Sequence, residues 1–284
     1  MNLRRQRIWG LVALIALVTS GFAPTSADSI TLPPAGGLPD YQLGGAYPPP
    51  TGVTIVGRDR NDPPAPGLYS ICYINGFQTQ PGELSLWPAE TILRDGNGTP
   101  IGDPDWPGEY LLDTSTAVKR AQILAVVEPW ITACAGAGFQ AAEFDNLDSY
   151  TRSSGHLSLA NNTAMAEAFV ASAHAAGLAA GQKNAAEESA TLKAEAGFDF
   201  AVSEECAVWN ECSSYTDAYG LHVIDIEYTD NIPPPFATLC DENPSLRNAM
   251  VLRDRNLVTP ASPDYEFETC DPVLTLFANG FEAP

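Results

Sequence analysis

From about residue 51 onward the chain alternates two kinds of apolar pattern. Short runs with few polar interruptions fall at Val53–Gly57, Tyr69–Ile74, Glu109–Leu112, Phe139–Phe144, Leu178–Gln182, Phe198–Ser203, Val223–Tyr228 and Met250–Arg253. Most of these runs are continuous, as parallel strands buried on both faces require. Between them lie segments with three- and four-residue spacing. Thr116–Ala137 places Leu124, Val127, Ile131 and Cys134 on one helical face and ends at Gly136 and Gly138. Asn161–Ala176 repeats the pattern with Met165, Ala168, Phe169 and Ala173, then Gly177, and a third helix is expected over about Ala185–Ala196. Strand–helix alternation predicts a parallel sheet with right-handed crossovers. Eight strands close it into an α/β fold of the (β/α)8 TIM-barrel type. The pattern weakens at both ends. Asp59–Gly67 holds three prolines and no room for a helix, so the first β/α unit is expected to be irregular.

The flanks add a compartment. Arg4, Arg5 and Arg7, the apolar run Ile8–Val18 and the small residues up to Ala27 have the three-part layout of a secretory signal peptide. The expected organisation is a signal peptide at 1–27, a Pro/Gly-rich extended segment at 28–50, the barrel at 51–258 and a tail at 259–284. That predicts a secreted or periplasmic protein. Six cysteines suit such a destination. Cys206 and Cys212 are close enough to close a small loop, and Cys240 with Cys270 would staple the C-terminal region. Cys72 and Cys134 are left as paired or as buried thiols. There is no C-x-x-C pair and there are three histidines, so neither a metal nor an organic cofactor is expected. The net charge of −21 argues against nucleic acid or an anionic membrane as partner and leaves neutral or cationic substrates open.

Barrel sites form at the C-terminal ends of strands. Here those ends read Glu143-Phe144-Asp145-Asn146-Leu147-Asp148, Gln182-Lys183-Asn184, Ser203-Glu204-Glu205, Glu227-Tyr228-Thr229-Asp230 and Arg253-Asp254-Arg255. Asp145 and Glu204 are the best pair of carboxyls to face each other across the mouth, being two strands apart. Asp148 is the reserve, Glu205 should turn away, and Glu143 should point outward or cap a neighbour. Lys183 follows an apolar strand and suits the ion-pairing of an adjacent carboxylate.

Several ordered segments resemble glycoside hydrolase family 114, the endo-α-1,4-polygalactosaminidases. They are Asp40-Tyr41-Gln42-Leu43-Gly44-Gly45, Ile71-Cys72-Tyr73-Ile74, Trp106-Pro107-Gly108-Glu109 with Leu112-Asp113, Glu143 to Tyr150, Gln182-Lys183-Asn184, Phe198 to Cys206 with Glu211-Cys212, and Ile226-Glu227-Tyr228. The resemblance implies a (β/α)8 barrel that cuts α-1,4-linked galactosamine polymers. By position it implies Asp145 as nucleophile and Glu204 as acid/base, with retention of configuration. Tyr73, Asn146, Lys183, Asn184 and Arg253 are expected to contact substrate, with Asp113, Asp148 and Glu227 as supporting carboxylates, and Cys206–Cys212 as a family disulfide. The chain departs from the pattern at Ser203, where the family usually has Asn. It departs again at Arg58–Pro66, where the family has a longer stretch with a helix and where this chain should reshape one side of the cleft.

A polysaccharide that can be cationic is thus the expected partner, since de-acetylated galactosamine carries an ammonium that an acidic protein attracts. Two other readings remain open at this level: a barrel that binds glycan without cutting it, and an α-glycosidase acting on another polysaccharide.

Overall fold

The computed structural model describes residues 30–232 and 235–271. The expected signal peptide and the terminal run 272–284 lie outside the described residues. Eight parallel strands follow one another around the sheet in chain order: β1 Pro39–Gln42, β2 Ile55–Asp59, β3 Tyr69–Asn75, β4 Ala141–Asp145, β5 Ala179–Lys183, β6 Phe200–Glu204, β7 Val223–Tyr228 and β8 Met250–Arg253. A short strand, β9 Phe267–Thr269, adds antiparallel to β8. β8 lies beside β1, where the Arg253 guanidinium donates to the Tyr41 carbonyl and to Asp40 Oδ1, so the sheet curls into a (β/α)8-type barrel.

Helices cover the half from β3 to β8. α1 Ala117–Ala137 packs Ile123, Val127, Ile131 and Cys134 inward, is capped by the Thr116 hydroxyl and ends at Gly138 with φ 100°. α2 Leu159–Ala175 starts in a capping box of Ser158 and Asn161 and buries Met165, Phe169 and Ala173. Between β5 and β6 a 3-10 turn, α3 Ser189–Thr191 and a π turn to Ala196 form one short helical run. α4 Cys212–Tyr219 and α5 Phe236–Glu242 complete the layer. β1 to β2 and β2 to β3 are joined without a helix, in keeping with the prolines of those links.

One expected strand is misplaced. Glu109–Leu112 is not in the barrel. It makes antiparallel bridges to Gln78 and Ile92 inside the long β3–α1 excursion, where Leu111 and Leu112 are fully buried. The missing strand is Pro39–Gln42, inside the segment expected to be an extended lead-in. It shows no apolar run because its buried polar residues are satisfied by side chains. Asp40 accepts from Gln42 and Arg253, and Gln42 accepts from Arg58 at 2.9 Å.

Three disulfides, Cys72–Cys134, Cys206–Cys212 and Cys240–Cys270, account for all six cysteines. The first ties β3 to α1, and the last ties α5 to the segment after β9.

Period-two alternation fills the barrel interior in layers. Ile55, Ile71, Ala141, Ala179, Val202, Ile224, Ile226 and Val251 pack together there. Two interior glycines leave space for rings, since a Cβ on Gly57 would meet the Tyr41 ring at 2.4 Å and one on Gly181 the Phe200 ring at 2.5 Å.

Candidate functional site

At the C-terminal mouth an interior position near the end of each of five successive strands is polar: Tyr73 on β3, Asp145 on β4, Lys183 on β5, Glu204 on β6 and Tyr228 on β7. All five line one cleft of about 450 Å³. Each sits two residues beyond an interior position on the same strand, so the alternation that buries the core also aims the site.

Lys183 is the hub. Its ammonium lies 2.7 Å from Glu204 Oε2 and 3.6 Å from Asp145 Oδ2, with 2 % of its side chain exposed. Burial opposes its charge, but Asp145, Glu204 and Glu143 outweigh burial and hold the ammonium above the ordinary lysine value. Tyr73 donates to Asp145 Oδ2 at 2.7 Å, and the Asn146 amide donates to Oδ1 at 2.7 Å. Glu204 accepts from Lys183, from Asn184 Nδ2 at 2.8 Å and from the Tyr228 hydroxyl. Burial works to raise the Glu204 carboxyl. The Lys183 charge and the three donors overcome it and bring the group down to about 2. Burial and the neighbouring carboxylates push the Tyr73 and Tyr228 hydroxyls well above the usual phenol range, so both act as donors.

The backbone reverses sharply after each of the three charged residues. Asn146, Asn184 and Glu205 adopt φ of 64°, 54° and 64°. Asn enters this left-handed region readily, whereas Glu does so at a cost of about 1 kcal/mol. Glu205 is held there from two sides. Its amide donates to the Ile226 carbonyl at 2.8 Å, and its carboxylate receives Arg255 Nη2 at 2.7 Å. Arg255 also covers the Tyr228 ring at 4.2 Å, bracing the phenol that serves Glu204.

Of the expected site residues, the cleft brings together Tyr73, Asp145, Asn146, Asp148, Lys183, Asn184 and Glu204. Asp148 pairs with Arg152 at 2.9 Å. Three others lie elsewhere. Asp113 is bound to Lys119 and Ser115 at the start of α1. Arg253 is fully buried and spends its donors on Asp40 and on the carbonyls of Tyr41, Val258 and Glu266. Glu227 alternates with the interior residues Ile226 and Tyr228, so it faces the helix layer rather than the mouth. Glu143 does not point outward either. Two residues before Asp145, it shares that residue's face, and it accepts the Tyr41 hydroxyl at 2.8 Å beneath the site. Burial, only partly offset by Lys183, lifts its carboxyl to about 8, so it sits there neutral.

The cleft also contains residues the sequence reading passed over. The β3–α1 excursion contributes Asp103, Asp105, Trp106 and Glu109, and Trp106 is 57 % exposed. Asp103 builds this rim by accepting the Asp105 and Trp106 amides on Oδ1 and Gln78 Nε2 on Oδ2. Burial, opposed by an Asn75 hydrogen bond and reinforced by Asp145 and Asp103, raises Glu109 to about 7. Trp106 and Glu109 belong to a segment that resembles the family, but nothing local says that the excursion folds back over the mouth. Asp59 lines the cleft from the end of β2, at the start of the departing Arg58–Pro66 stretch.

The model of glycoside-hydrolase family GH114 matches residues 19–275. Among solved structures, the Aspergillus fumigatus Ega3 complex with galactosamine superposes with a TM-score of 0.67 at 22 % identity, covering 88 % of this chain and 100 % of that one. The glycoside hydrolase domain of PelA from Pseudomonas aeruginosa gives 0.52 at 14 % identity, covering 82 % and 98 %. Among curated proteins no sequence matches.

Proposed function

The chain belongs to glycoside hydrolase family 114, and on that premise we propose that it is a secreted, endo-acting hydrolase of α-1,4-linked galactosamine polymers that cuts with Asp145 and Glu204. The observation that carries this reading is the shared lysine. The two carboxylate oxygens that face Lys183 Nζ stand no farther apart than its contacts of 3.6 and 2.7 Å together, about 6.3 Å. Retaining pairs stand about 5–5.5 Å apart and inverting pairs about 6.5–9.5 Å, so this upper bound favours the retaining geometry, while the roles of Asp145 as nucleophile and Glu204 as acid/base follow the family resemblance. Endo cleavage follows the family resemblance.

Charge supports an amino sugar. Seven carboxylates line the cleft (Asp59, Asp103, Asp105, Glu109, Asp145, Asp148 and Glu204) against three cations, Arg152, Lys183 and Arg255. An excess of this sign attracts a polymer that bears an ammonium on each residue. Trp106 offers a flat apolar face at the rim for a sugar ring. Secretion is supported by the three disulfides.

The acid step needs a proton on Glu204, and the free cleft keeps that residue ionised. Only the protonated fraction of Glu204 can act as the acid, so the rate should favour acidic pH.

Release of reducing ends from de-acetylated galactosaminan tests the whole reading. Wild type should cut it and leave neutral polymers intact, while Asp145→Asn and Glu204→Gln should each lose at least about a hundredfold. A wild type as inert as both variants, with binding retained, would turn the protein into a glycan-binding barrel.

A further inference from the structure

Behind the acid/base residue lies a second pair of carboxyls that the mechanism does not use. Asp225 and Glu227, two apart on β7, are fully buried on the face turned from the barrel interior. Asp225 Oδ1 accepts the Ser203 hydroxyl at 2.7 Å and the Cys206 amide at 3.1 Å. Glu227 Oε1 accepts the Ala207 amide at 2.8 Å and the Val208 amide at 3.4 Å. These donors begin immediately before Glu204 and run into the loop closed by the Cys206–Cys212 disulfide.

The remaining oxygens, Asp225 Oδ2 and Glu227 Oε2, have no donor among the rest of the described residues. Two apart on the same face of β7, the side chains are neighbours, and each carboxyl shifts the other's titration. One hydrogen between the orphaned oxygens satisfies both, and two bare anions there would satisfy neither. Among the described residues the surroundings bring no compensating cation. β6 contributes the neutral Ser203, β8 pairs Leu252 with Glu227, α4 contributes Tyr215 and Cys212, and the disulfide sulfurs of Cys212 and of Cys206 in the β6 loop lie within 4.8 Å of an Asp225 oxygen. The charge facing Asp225 is Glu205, another anion.

We propose that Asp225 and Glu227 share one proton and act together as a positioning pair that fixes the β6 loop, and through it the Glu204 carboxyl, for the acid/base step. This rests on the assignment of Glu204 made above. The Ser203 hydroxyl is the link at the departure from the family pattern, because it joins the residue before Glu204 to this pair. Burial and the neighbouring Asp225 raise the Glu227 carboxyl to about 9, which matches a proton retained at neutral pH. A carboxyl raised in the folded state contributes stability that is complete below the ordinary carboxylate range. That contribution declines as pH rises towards about 9.

The test compares wild type, Glu227→Gln and Glu227→Ala by two readouts, from about pH 5 to about pH 10: hydrolysis of a de-acetylated α-linked galactosamine oligomer, and hydrogen-exchange protection of the Cys206, Ala207 and Val208 amides. Glutamine reproduces the protonated acid, with Nε2 donating to Asp225 and Oε1 accepting Ala207. It should stay within about threefold of wild-type kcat below neutrality, and the ratio of variant to wild type should climb with pH. Its loop amides should remain protected through the pH range in which the wild type opens. Alanine should lose protection at every pH and at least about tenfold in kcat, with KM little changed. Superimposable pH courses for wild type and Glu227→Gln in both readouts would overturn the proposal, as would a Gln variant that fails like Ala. If the wild type hydrolyses nothing, the assignment of Glu204 falls, and the exchange measurement still decides whether the pair shares a proton.

Discussion

The barrel has two unlike sides. From β3 to β7, helices or helical runs follow the strands, interior residues alternate regularly, and every charged group that faces the cleft centre comes from a strand end. From β8 through β1 to β2 there is no helix before the next strand. That side is held by a buried network of Arg253, Asp40, Gln42, Arg58 and Tyr47, and by β9 laid against β8. One side is built by apolar packing and presents chemistry. The other is built by polar pairing and closes the ring. The lesson is that a buried charge in this barrel must be read by its partners: Lys183 and Arg253 are both buried beside carboxylates, but only Lys183 reaches the cleft.

The sharpest way to break that contrast is Arg253→Met. It leaves Asp40 buried with its ion partner gone, a loss on the order of 3–5 kcal/mol. The expected result is a large fall in the denaturant midpoint. kcat per folded molecule should change less than about threefold at temperatures where the variant stays folded. Asp40→Asn added to Arg253→Met should return part of the stability, because an amide removes the stranded charge. A variant that keeps its midpoint but loses activity would place Arg253 in the cleft after all.

The same contrast explains what the sequence disclosed. The regular side was legible because its strands are apolar runs and its helices carry stripes ended by glycine. α1 and α2 begin and end within two residues of the pattern. Asp145, Lys183 and Glu204 were legible as polar residues that end such runs. β1 was not, since Pro39-Asp40-Tyr41-Gln42 is buried through hydrogen bonds formed with residues far along the chain. Leu111-Leu112 read as a strand because burial beneath an excursion leaves the same apolar signature as burial in a sheet. Trp106 joins the cleft through tertiary folding of that excursion, which has no local periodicity to reveal it. Glu227 lay one position out of phase with the interior. Alternation about Ile226 and Tyr228 carried that signal, and the family resemblance outweighed it.

Lys183→Met is the next largest test and acts on the catalytic side. Loss of the ammonium removes the group that keeps Glu204 ionised, so the Glu204 carboxyl should rise from about 2 towards and beyond its ordinary range. Because the acid form does the work, activity falls as pH rises through that value. The alkaline limb of kcat/KM should therefore move to higher pH in the variant, even as the maximum drops by about a hundredfold. Stability shifts with opposite sign. A carboxyl depressed in the folded state contributes above the ordinary carboxylate range and is lost as pH falls towards about 2, so the variant should lose that acid-side dependence. A limb that stays in place would mean that Glu204 does not carry the catalytic proton.

The smallest effect is expected where the excursion meets the cleft, at Trp106→Ala. The indole is exposed, so its removal opens no core cavity and should leave the thermal midpoint within about a degree or two of wild type. What it removes is a flat apolar surface that a sugar ring can cover, worth about 0.5–1.5 kcal/mol if it behaves as an aromatic contact does elsewhere. That corresponds to a rise in KM of roughly two- to twelvefold with kcat nearly constant, the pattern of binding lost equally from ground and transition states. The rise should be larger for long oligomers than for short ones, because the rim residue touches sugars beyond the cut bond. Equal KM changes for both lengths would place Trp106 against the reacting residues themselves and would extend the catalytic side of the barrel onto the excursion.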